Sequence, residues 1–270
     1  MSLAGMVSTW NDALDLYACA MRAAGRSGGT IRLHRHYLGA LAEGVPTPYA
    51  ATTTSLVTFL AVEHWAPETR KSARAAVRGF YRWAHGSGLV DEDPSLTLPT
   101  VRVPAGRPRP TPEHLVRVLV RHPDPRVGFM AQLAAFAGLR AGEIARVHGR
   151  DLVGDTLVIK GKGGKVRGVP VVDAELLARL EDLDGWAFPN GLGSHLTPGH
   201  VSRVLSRAMP EGWTAHTLRH RMASVAYAGT RDLLAVGAVL GHSRPETTQR
   251  YVLLPDDALR QAVTAAALAS

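Results

Sequence analysis

Apolar positions recur at helical spacing through the first third of the chain. One face of the first such segment collects Trp10, Leu14, Tyr17 and Met21. Glycines and prolines separate this segment from three others with the same pattern. We predict four helices, the first capped by Ser8, the second capped by Thr30 after a Gly28-Gly29 break, the third over 53–64 and the fourth over 67–85.

The helical pattern stops where prolines accumulate, at positions 94, 99, 104, 108, 110 and 112. Proline at this density is incompatible with a helix and favours an extended, semi-rigid connector. The sequence therefore predicts two domains, with a helical domain over 1–96, a linker over 97–111 and a second domain over 112–270.

The second domain is predicted to be helical with one short sheet. Residues 156–159 and 166–172 are typical of strands, and Gly161-Lys162-Gly163-Gly164-Lys165 joins them as a hairpin. Asp173 is placed to cap the next helix, and an amphipathic tail helix is expected over 256–268. The fold class is therefore mainly α with a small antiparallel β-sheet.

Composition narrows the class of protein. The chain has 270 residues, 46% of them hydrophobic, which argues against disorder and against a coiled-coil rod. A single cysteine, Cys19, excludes an internal disulfide and a multi-cysteine metal site. The chain shows no secretory leader pattern and no apolar run near the roughly 20 residues that span a bilayer, so we expect a soluble cytoplasmic protein without a membrane partner.

The net charge of +8 favours a polyanionic partner such as nucleic acid. Part of the surplus forms a stripe at four-residue spacing on the fourth predicted helix. The stripe is either a solvated basic face or a phosphate-binding one. The candidate DNA-binding residues are Arg70, Lys71, Arg74, Arg78 and Arg82 of this helix, Arg107 and Arg109 of the linker, and Lys165 of the hairpin.

Lysine is rare and clustered. Of 31 basic residues only four are lysine, and three of these, Lys160, Lys162 and Lys165, lie in or beside the hairpin. The cluster is either a chance feature of a solvated turn or a site that needs a basic group able to give up a proton, which arginine does not do.

Four short motifs in the second domain carry candidate chemistry. They are Leu139-Arg140-Ala141-Gly142-Glu143, the Gly161–Lys165 hairpin, His216-Thr217-Leu218-Arg219-His220, and Leu240-Gly241-His242 with Tyr251 nine residues later. Each alone has an ordinary structural explanation. Together they offer two arginines that can clamp a phosphodiester, a tyrosine nucleophile, and histidine and lysine for proton transfer. Such a set needs neither a metal nor ATP, and we expect no cofactor.

These motifs, in this order and spacing, resemble those of the tyrosine recombinase family, which includes lambda-type phage integrases and Xer proteins. The resemblance implies a helical core-binding domain followed by an α+β catalytic domain. It implies that Arg140 and Arg219 bind the scissile phosphate, that Tyr251 attacks it and that His216 assists proton transfer. Lys162 would protonate the departing 5′ oxygen, with Lys165 as the alternative.

The resemblance also implies supporting roles. His242 would either hydrogen-bond a phosphate oxygen or steady the site, and Glu143 and His220 would support the residues that touch DNA. The expected reaction passes through a 3′-phosphotyrosine and a Holliday junction. Its partners would be double-stranded core-type attachment sites, three further copies of the chain in a synaptic tetramer, and accessory factors, with a monomer in the free state.

Two features depart from the larger integrases. The helical unit begins by about position 8, which indicates a minimal recombinase without an arm-binding domain, and Gly237 lies inside a predicted helix. The main hypothesis is a phage or mobile-element integrase. The alternatives are a Xer-type chromosome-dimer resolvase, a DNA-binding regulator that has lost catalysis, and a topoisomerase with the same nucleophile.

Overall fold

The structure, a computed structural model, describes residues 9–104, 106, 108–161, 164–242 and 248. The chain divides into two compact units, Met1–Pro104 and Ala105–Ser270. The division lies inside the stretch predicted to be a proline-rich linker. None of the helices in the described ranges is both long and apolar enough to cross a membrane.

The first unit is helical. Its helices are α1 (Trp10–Ala23), α2 (Gly28–Ala42), α3 (Thr53–Leu60) and α4 (Pro67–Gly86). Two predicted caps were wrong. Thr9, not Ser8, caps α1, because its hydroxyl accepts from the Asp12 amide at 3.2 Å and Asp12 reciprocates. Ser27 caps α2 by accepting from the Thr30 amide, so the glycines of the predicted break form the first turn of the helix.

The third helix ends at Leu60, four residues earlier than predicted. The guanidinium of Arg70 on α4 donates to the carbonyls of Leu60 at 2.8 Å and Val62 at 2.9 Å. These bonds satisfy carbonyls that a longer helix would have bonded internally. The core of this unit centres on Phe80, whose ring lies 5.3 Å from that of Trp10 and 5.5 Å from that of Tyr17.

The second unit combines helices with one small sheet. Its elements are α5 (Glu113–Val120), α6 (Pro125–Ala135), α7 (Ala141–Ile144), β1 (Leu152–Val153), β2 (Thr156–Lys160), β3 (Val166–Pro170), α8 (Ala174–Glu181), α9 (Pro198–Arg207), α10 (Ala215–Thr230) and α11 (Leu233–Leu240). The predicted fold class, mainly α with a small antiparallel sheet, is confirmed. The predicted tail helix over 256–268 lies outside the described residues.

The sheet has the order β1-β2-β3 and is antiparallel throughout. The two-residue strand β1 was not predicted, because so short a segment shows no alternation. In the β2–β3 hairpin, Leu157 pairs with Val169 and Lys160 with Val166. This register holds the lysine-bearing turn at one end of the sheet.

Helix α6 is the centre of the second unit. All its residues from Val127 to Ala135 are buried, and it packs against α5, α8, α9 and α10. The Thr111-Pro112-Glu113 sequence is typical of a helix that threonine caps and proline begins, but Pro112 holds the N-cap position of α5. Thr111 is instead buried, and its amide and hydroxyl bond the carbonyl and hydroxyl of Thr217 on α10. This pair ties the entry of the unit to the helix that carries His216 and Arg219.

Candidate active site

Glu143, in the first turn of α7, lies at the centre of the predicted constellation. Its side chain is 4% exposed. The carboxylate accepts from the backbone amide of Arg140 at 2.9 Å and from Arg140 Nη1 at 3.0 Å. Because Arg140 and Glu143 are close in sequence, these two hydrogen bonds form a local ring, which fixes the start of α7 and the direction of the Arg140 side chain. That side chain stays 42% exposed and faces solvent.

Arg219 reaches the same carboxylate from α10. Its Nη1 lies 3.7 Å from Glu143 Oε2 and also donates to the carbonyl of Gly138, while Nη2 donates to the carbonyl of Leu240 at 2.6 Å. Gly138 adopts a positive φ of 66°, which turns its carbonyl into the site. Arg219 is buried, so its direction is set by backbone groups on either side.

His242 follows α11 and completes this cluster. Its Nε2 lies 3.1 Å from Arg219 Nη2, and its Nδ1 lies 3.0 Å from the hydroxyl of the buried Thr248. A guanidinium can only donate, so Nε2 accepts and the proton of the neutral ring is on Nδ1. Burial and the charges of Arg219, Arg140 and Arg167 lower the pKa of His242 to about 4, and Glu143 opposes them. The ring is therefore neutral at physiological pH.

His216 and His220 lie one turn apart on α10, with ring centroids 4.6 Å apart in an edge-to-face arrangement. The hydroxyl of Thr214 accepts from the His216 amide and caps the helix. Desolvation and the charges of Arg219 and Arg140 lower the pKa of His216. His216 is exposed and faces solvent as a neutral base, whereas His220 is buried behind it.

Arg167 on β3 was not among the predicted site residues. Its Nη1 and Nη2 donate to the two oxygens of Glu143 at 3.0 and 2.9 Å, and its Nε donates to the carbonyl of Val239 at 2.7 Å. The alternation of inward-facing and outward-facing side chains along β3 could have identified it. Arg167 shares a face with the buried Val169, and a cation on the inward face of a strand requires an anionic partner.

Of the three lysines in or beside the hairpin, the structure describes Lys160 and Lys165. Lys160 ends β2 and Lys165 precedes β3, and both are exposed. The Lys165 carbonyl accepts from the Gly161 amide at 2.7 Å, which closes the turn. Lys160 also lines a cleft of about 130 Å³ together with Glu143, Arg146 and Arg150. Lys162 and Tyr251, predicted as general acid and nucleophile, lie outside the described residues.

The arginine stripe of α4 divides into two kinds of residue. Arg70 donates to the carbonyls of Leu60 and Val62 at the end of α3, and Arg74 donates to the carbonyl of Leu98 at 2.8 Å. Lys71 and Arg82 are exposed, and Arg78 is half-buried. In the second unit, the guanidinium of Arg109 lies 4.3 Å above the ring of Trp213, while Arg107 lies outside the described residues.

Three guanidiniums therefore surround one carboxylate. Burial would raise the pKa of Glu143, but hydrogen bonds from Arg167 and Arg140 and their charges lower it to about 2. With Glu143 ionised and His242 neutral, the cluster keeps a surplus of positive charge suited to a phosphate group. The described part of the chain contains no group of three or more His, Cys, Asp or Glu side chains placed to bind a metal ion.

Comparison with known proteins decides the family. Residues 115–256, more than half of the chain, match the model of the phage integrase family. The chain belongs to this family. It is a site-specific tyrosine recombinase, and such enzymes transfer DNA strands.

Individual relatives agree with this assignment. The tyrosine recombinase XerD of Caulobacter vibrioides is 29% identical over 90% of either chain. A lambda integrase dimer bound to a COC′ core site superposes with a TM-score of 0.74 at 20% identity, over 90% of this chain and 95% of the other. A lambda integrase tetramer bound to a Holliday junction gives a TM-score of 0.70 at 21% identity, over 88% and 79%. The two structural matches show the shared fold.

Proposed function

We propose that this recombinase integrates and excises phage or mobile-element DNA by breaking and rejoining one strand at a time. The Tyr251 oxygen attacks the scissile phosphate, a 3′-phosphotyrosine forms and the 5′ oxygen leaves as a hydroxyl. Attack by the 5′ hydroxyl of the partner strand reverses these steps, restores the tyrosine and generates a Holliday junction. The bond energy is stored in the phosphotyrosine, so resealing needs no ATP.

One observation carries this proposal, which is that Arg140 and Arg219 converge on the carboxylate of Glu143 from different elements. Their Nη1 atoms lie 3.0 and 3.7 Å from its oxygens. Arginines fixed in this way offer hydrogen-bond donors at defined positions to the oxygens of a phosphodiester. Such donors stabilise the extra negative charge of the pentacoordinate transition state without reorganisation during the reaction.

The histidines support different steps in this scheme. His216 is exposed and its pKa is lowered, so its neutral ring is available to take the proton of the attacking tyrosine. For His242, two roles were open. Its Nε2 accepts from Arg219, so the geometry favours the role of steadying Arg219 over that of donating to a phosphate oxygen. His220, packed against His216, supports its ring.

Lys162 is proposed as the acid that protonates the 5′ oxygen, with Lys165 as the alternative. The β2–β3 register supports this role, because the lysine-bearing turn and Arg167 belong to the same hairpin and Arg167 is bonded to Glu143. Unlike arginine, a lysine can give up its proton to the leaving oxygen.

We propose double-stranded core-type sites as the DNA partner and a homotetramer as the synaptic assembly, with a cytoplasmic monomer as the free form. The lambda integrase structures, one on a core site and one on a Holliday junction, support these assignments by their shared fold. The exposed Lys71 and Arg82 are the best-placed members of the α4 stripe to meet phosphates. Residues 1–96 would then be the core-type DNA-binding domain, 97–111 the linker and 112–270 the catalytic domain.

A Xer-type chromosome-dimer resolvase is the second candidate. The observation in its favour is the match to XerD over 90% of either chain. The two candidates differ in their DNA sites. A selected core site that lies in the host chromosome away from the gene of the recombinase would favour the resolvase, whereas a site that flanks this gene would favour the integrase.

The test begins with selection of the core site from a pool of random duplexes by the wild-type protein. The selected sequence is then built into a nicked suicide duplex, on which cleavage traps the covalent intermediate. We expect a protein–DNA adduct that Tyr251→Phe abolishes and that the matched variant Tyr49→Phe, an exposed tyrosine of the first unit, leaves unchanged. An adduct that persists in Tyr251→Phe would refute the nucleophile assignment.

The acid is tested on the same duplex. Lys162→Ala should block cleavage of ordinary DNA and recover when the 5′-bridging oxygen is replaced by sulfur, because a thiolate leaves without protonation. Lys165→Ala should cleave both substrates. If the recovery by sulfur instead appears with Lys165→Ala, the acid is the second lysine.

A further inference from the structure

Arg167 occupies a position that the proposed chemistry does not use. It lies on β3, its side chain is 11% exposed, and its guanidinium is bonded on every nitrogen. Two of these bonds go to Glu143 and the third goes to the backbone just before the end of α11. Arg167 therefore connects three elements of the second unit, namely the hairpin strand, the short α7 and the end of α11.

The contact with α11 depends on a close approach. Gly241 ends this helix with a positive φ of 65°, and a Cβ at that position would lie 2.9 Å from Arg167 Nη1. Glycine at this position of the Leu240-Gly241-His242 motif thus leaves room for the Arg167 guanidinium and also adopts the positive φ of the turn. Because His242 follows directly, the guanidinium also helps to fix the start of the segment that carries this ring.

The contact with Glu143 determines how the other two arginines are held. Arg167 donates to both carboxylate oxygens, so Arg140 shares Oε1 through Nη1 and Arg219 lies at 3.7 Å from Oε2. Without Arg167, a buried carboxylate at 4% exposure would have lost its bidentate partner. It would then attract Arg140 and Arg219 more closely, away from the position of a phosphate.

We propose that Arg167 is a positioning residue of the recombinase site. It saturates the Glu143 carboxylate, so that this group orients Arg140 and Arg219 without sequestering them, and it fixes the hairpin strand to the segment before His242. This inference rests on the proposed function, in which Arg140 and Arg219 bind the scissile phosphate. It adds a residue that touches neither the substrate nor the reacting atoms.

The experiment measures the single-turnover rate constant for formation of the covalent adduct. The full-length protein is used in saturating excess over the suicide duplex that carries the selected site. For Arg167→Met we expect a rate constant about 100-fold lower, the size of effect that a displacement of about 1 Å at a reacting centre produces. DNA affinity should change by no more than about threefold, since the phosphate contacts that dominate binding are distributed over the protein.

A structural role would give a different result. Partial loss of folded protein leaves both the rate constant and the amplitude unchanged as long as the folded molecules still saturate the duplex, and a larger loss lowers the amplitude. Arg221→Met is the matched control. Arg221 is 16% exposed, donates to Glu113 through two nitrogens and to the carbonyl of Ala135 through the third, and so loses a similar set of bonds.

We expect Arg221→Met to keep its rate constant within about threefold of the wild-type value. Arg167→Lys retains the charge beside Glu143 but not the fork, so it should fold even if Arg167→Met does not. Its rate constant should be about 10-fold below wild type, which is partial rescue. Wild-type rate constants in both Arg167 variants, or an equal decrease in the Arg221 control, would overturn the proposal. An adduct that forms in wild type and disappears in Tyr251→Phe keeps the proposed function intact in either case.

Discussion

The substitution Glu143→Gln removes the charge at the centre of the site and keeps its shape. Glu143 is buried and its carboxylate is bonded by Arg140 and Arg167. Burial works against its ionisation, yet the hydrogen bonds and charges of the two arginines lower its pKa from 4.5 to about 2. Glutamine resembles the protonated carboxyl, so the variant reproduces at neutral pH the state that acid produces in the wild type.

The magnitude follows from this pKa. One pH unit of difference between the folded and unfolded pKa corresponds to about 1.4 kcal/mol, so ionised Glu143 stabilises the fold by about 3 kcal/mol. A carboxyl with a lowered pKa makes this contribution in full above its unfolded pKa. The contribution is lost as the pH falls through the folded pKa. By about pH 3 roughly 2 kcal/mol of it should have disappeared.

Chemical denaturation of wild type and Glu143→Gln between pH 7 and about pH 3 measures the effect. Hydrogen exchange of peptides that contain α7 and β3 assigns the transition to the second unit. The free-energy difference should be about 3 kcal/mol at pH 7 and about 1 kcal/mol at pH 3. Glu175→Gln, which breaks an exposed pair with Arg179, is the control and should cost less than about 1 kcal/mol. A difference for Glu143→Gln that is independent of pH would refute the electrostatic argument.

Three further predictions concern other parts of the molecule. With its pKa lowered to about 4 by burial and by neighbouring guanidiniums, His242 should stay neutral in an NMR titration down to pH 5 and carry its proton on Nδ1; a midpoint near 6.5 would contradict this. Since the unfolded ring titrates near 6.5, its neutral form stabilises the fold above that pH, and this contribution should decrease as the pH falls towards 4. Gly237→Ala would place a Cβ 2.9 Å from the buried threonine hydroxyl that contacts this ring, so thermal unfolding should show a loss of about 1–3 kcal/mol, whereas Gly229→Ala, in open space, should not destabilise. Arg70→Ala should lower the free energy of unfolding by about 1–3 kcal/mol, because two hydrogen bonds to backbone carbonyls are lost. Lys71→Ala should leave unfolding unchanged and reduce the salt dependence of DNA binding in gel-shift assays. The opposite pattern would count against the division of the α4 stripe.

Local patterns predicted most of the secondary structure. The fourth helix was predicted over 67–85 and extends over Pro67–Gly86, because its periodicity is long and proline and glycine mark its ends. Asp173 caps α8 as predicted. The errors include β1, which has only two residues, and the start of α2. At α2, Ser27 is the cap, but the two glycines that follow it favoured the prediction of a break. Element ends depend on single hydrogen bonds, which apolar spacing does not encode.

The motifs and their order can be read from the amino-acid sequence alone, and they identify the family. Each motif lies within one element or turn, so a few neighbouring residues fix its local geometry. Which of these side chains meet depends on how the elements pack in three dimensions. Arg167 reaches a carboxylate 24 positions earlier in the chain, and Arg74 bonds a carbonyl 24 positions later. Burial in a packed interior requires each charged group to find a partner, and that partner is set by how the elements pack and not by spacing along the chain.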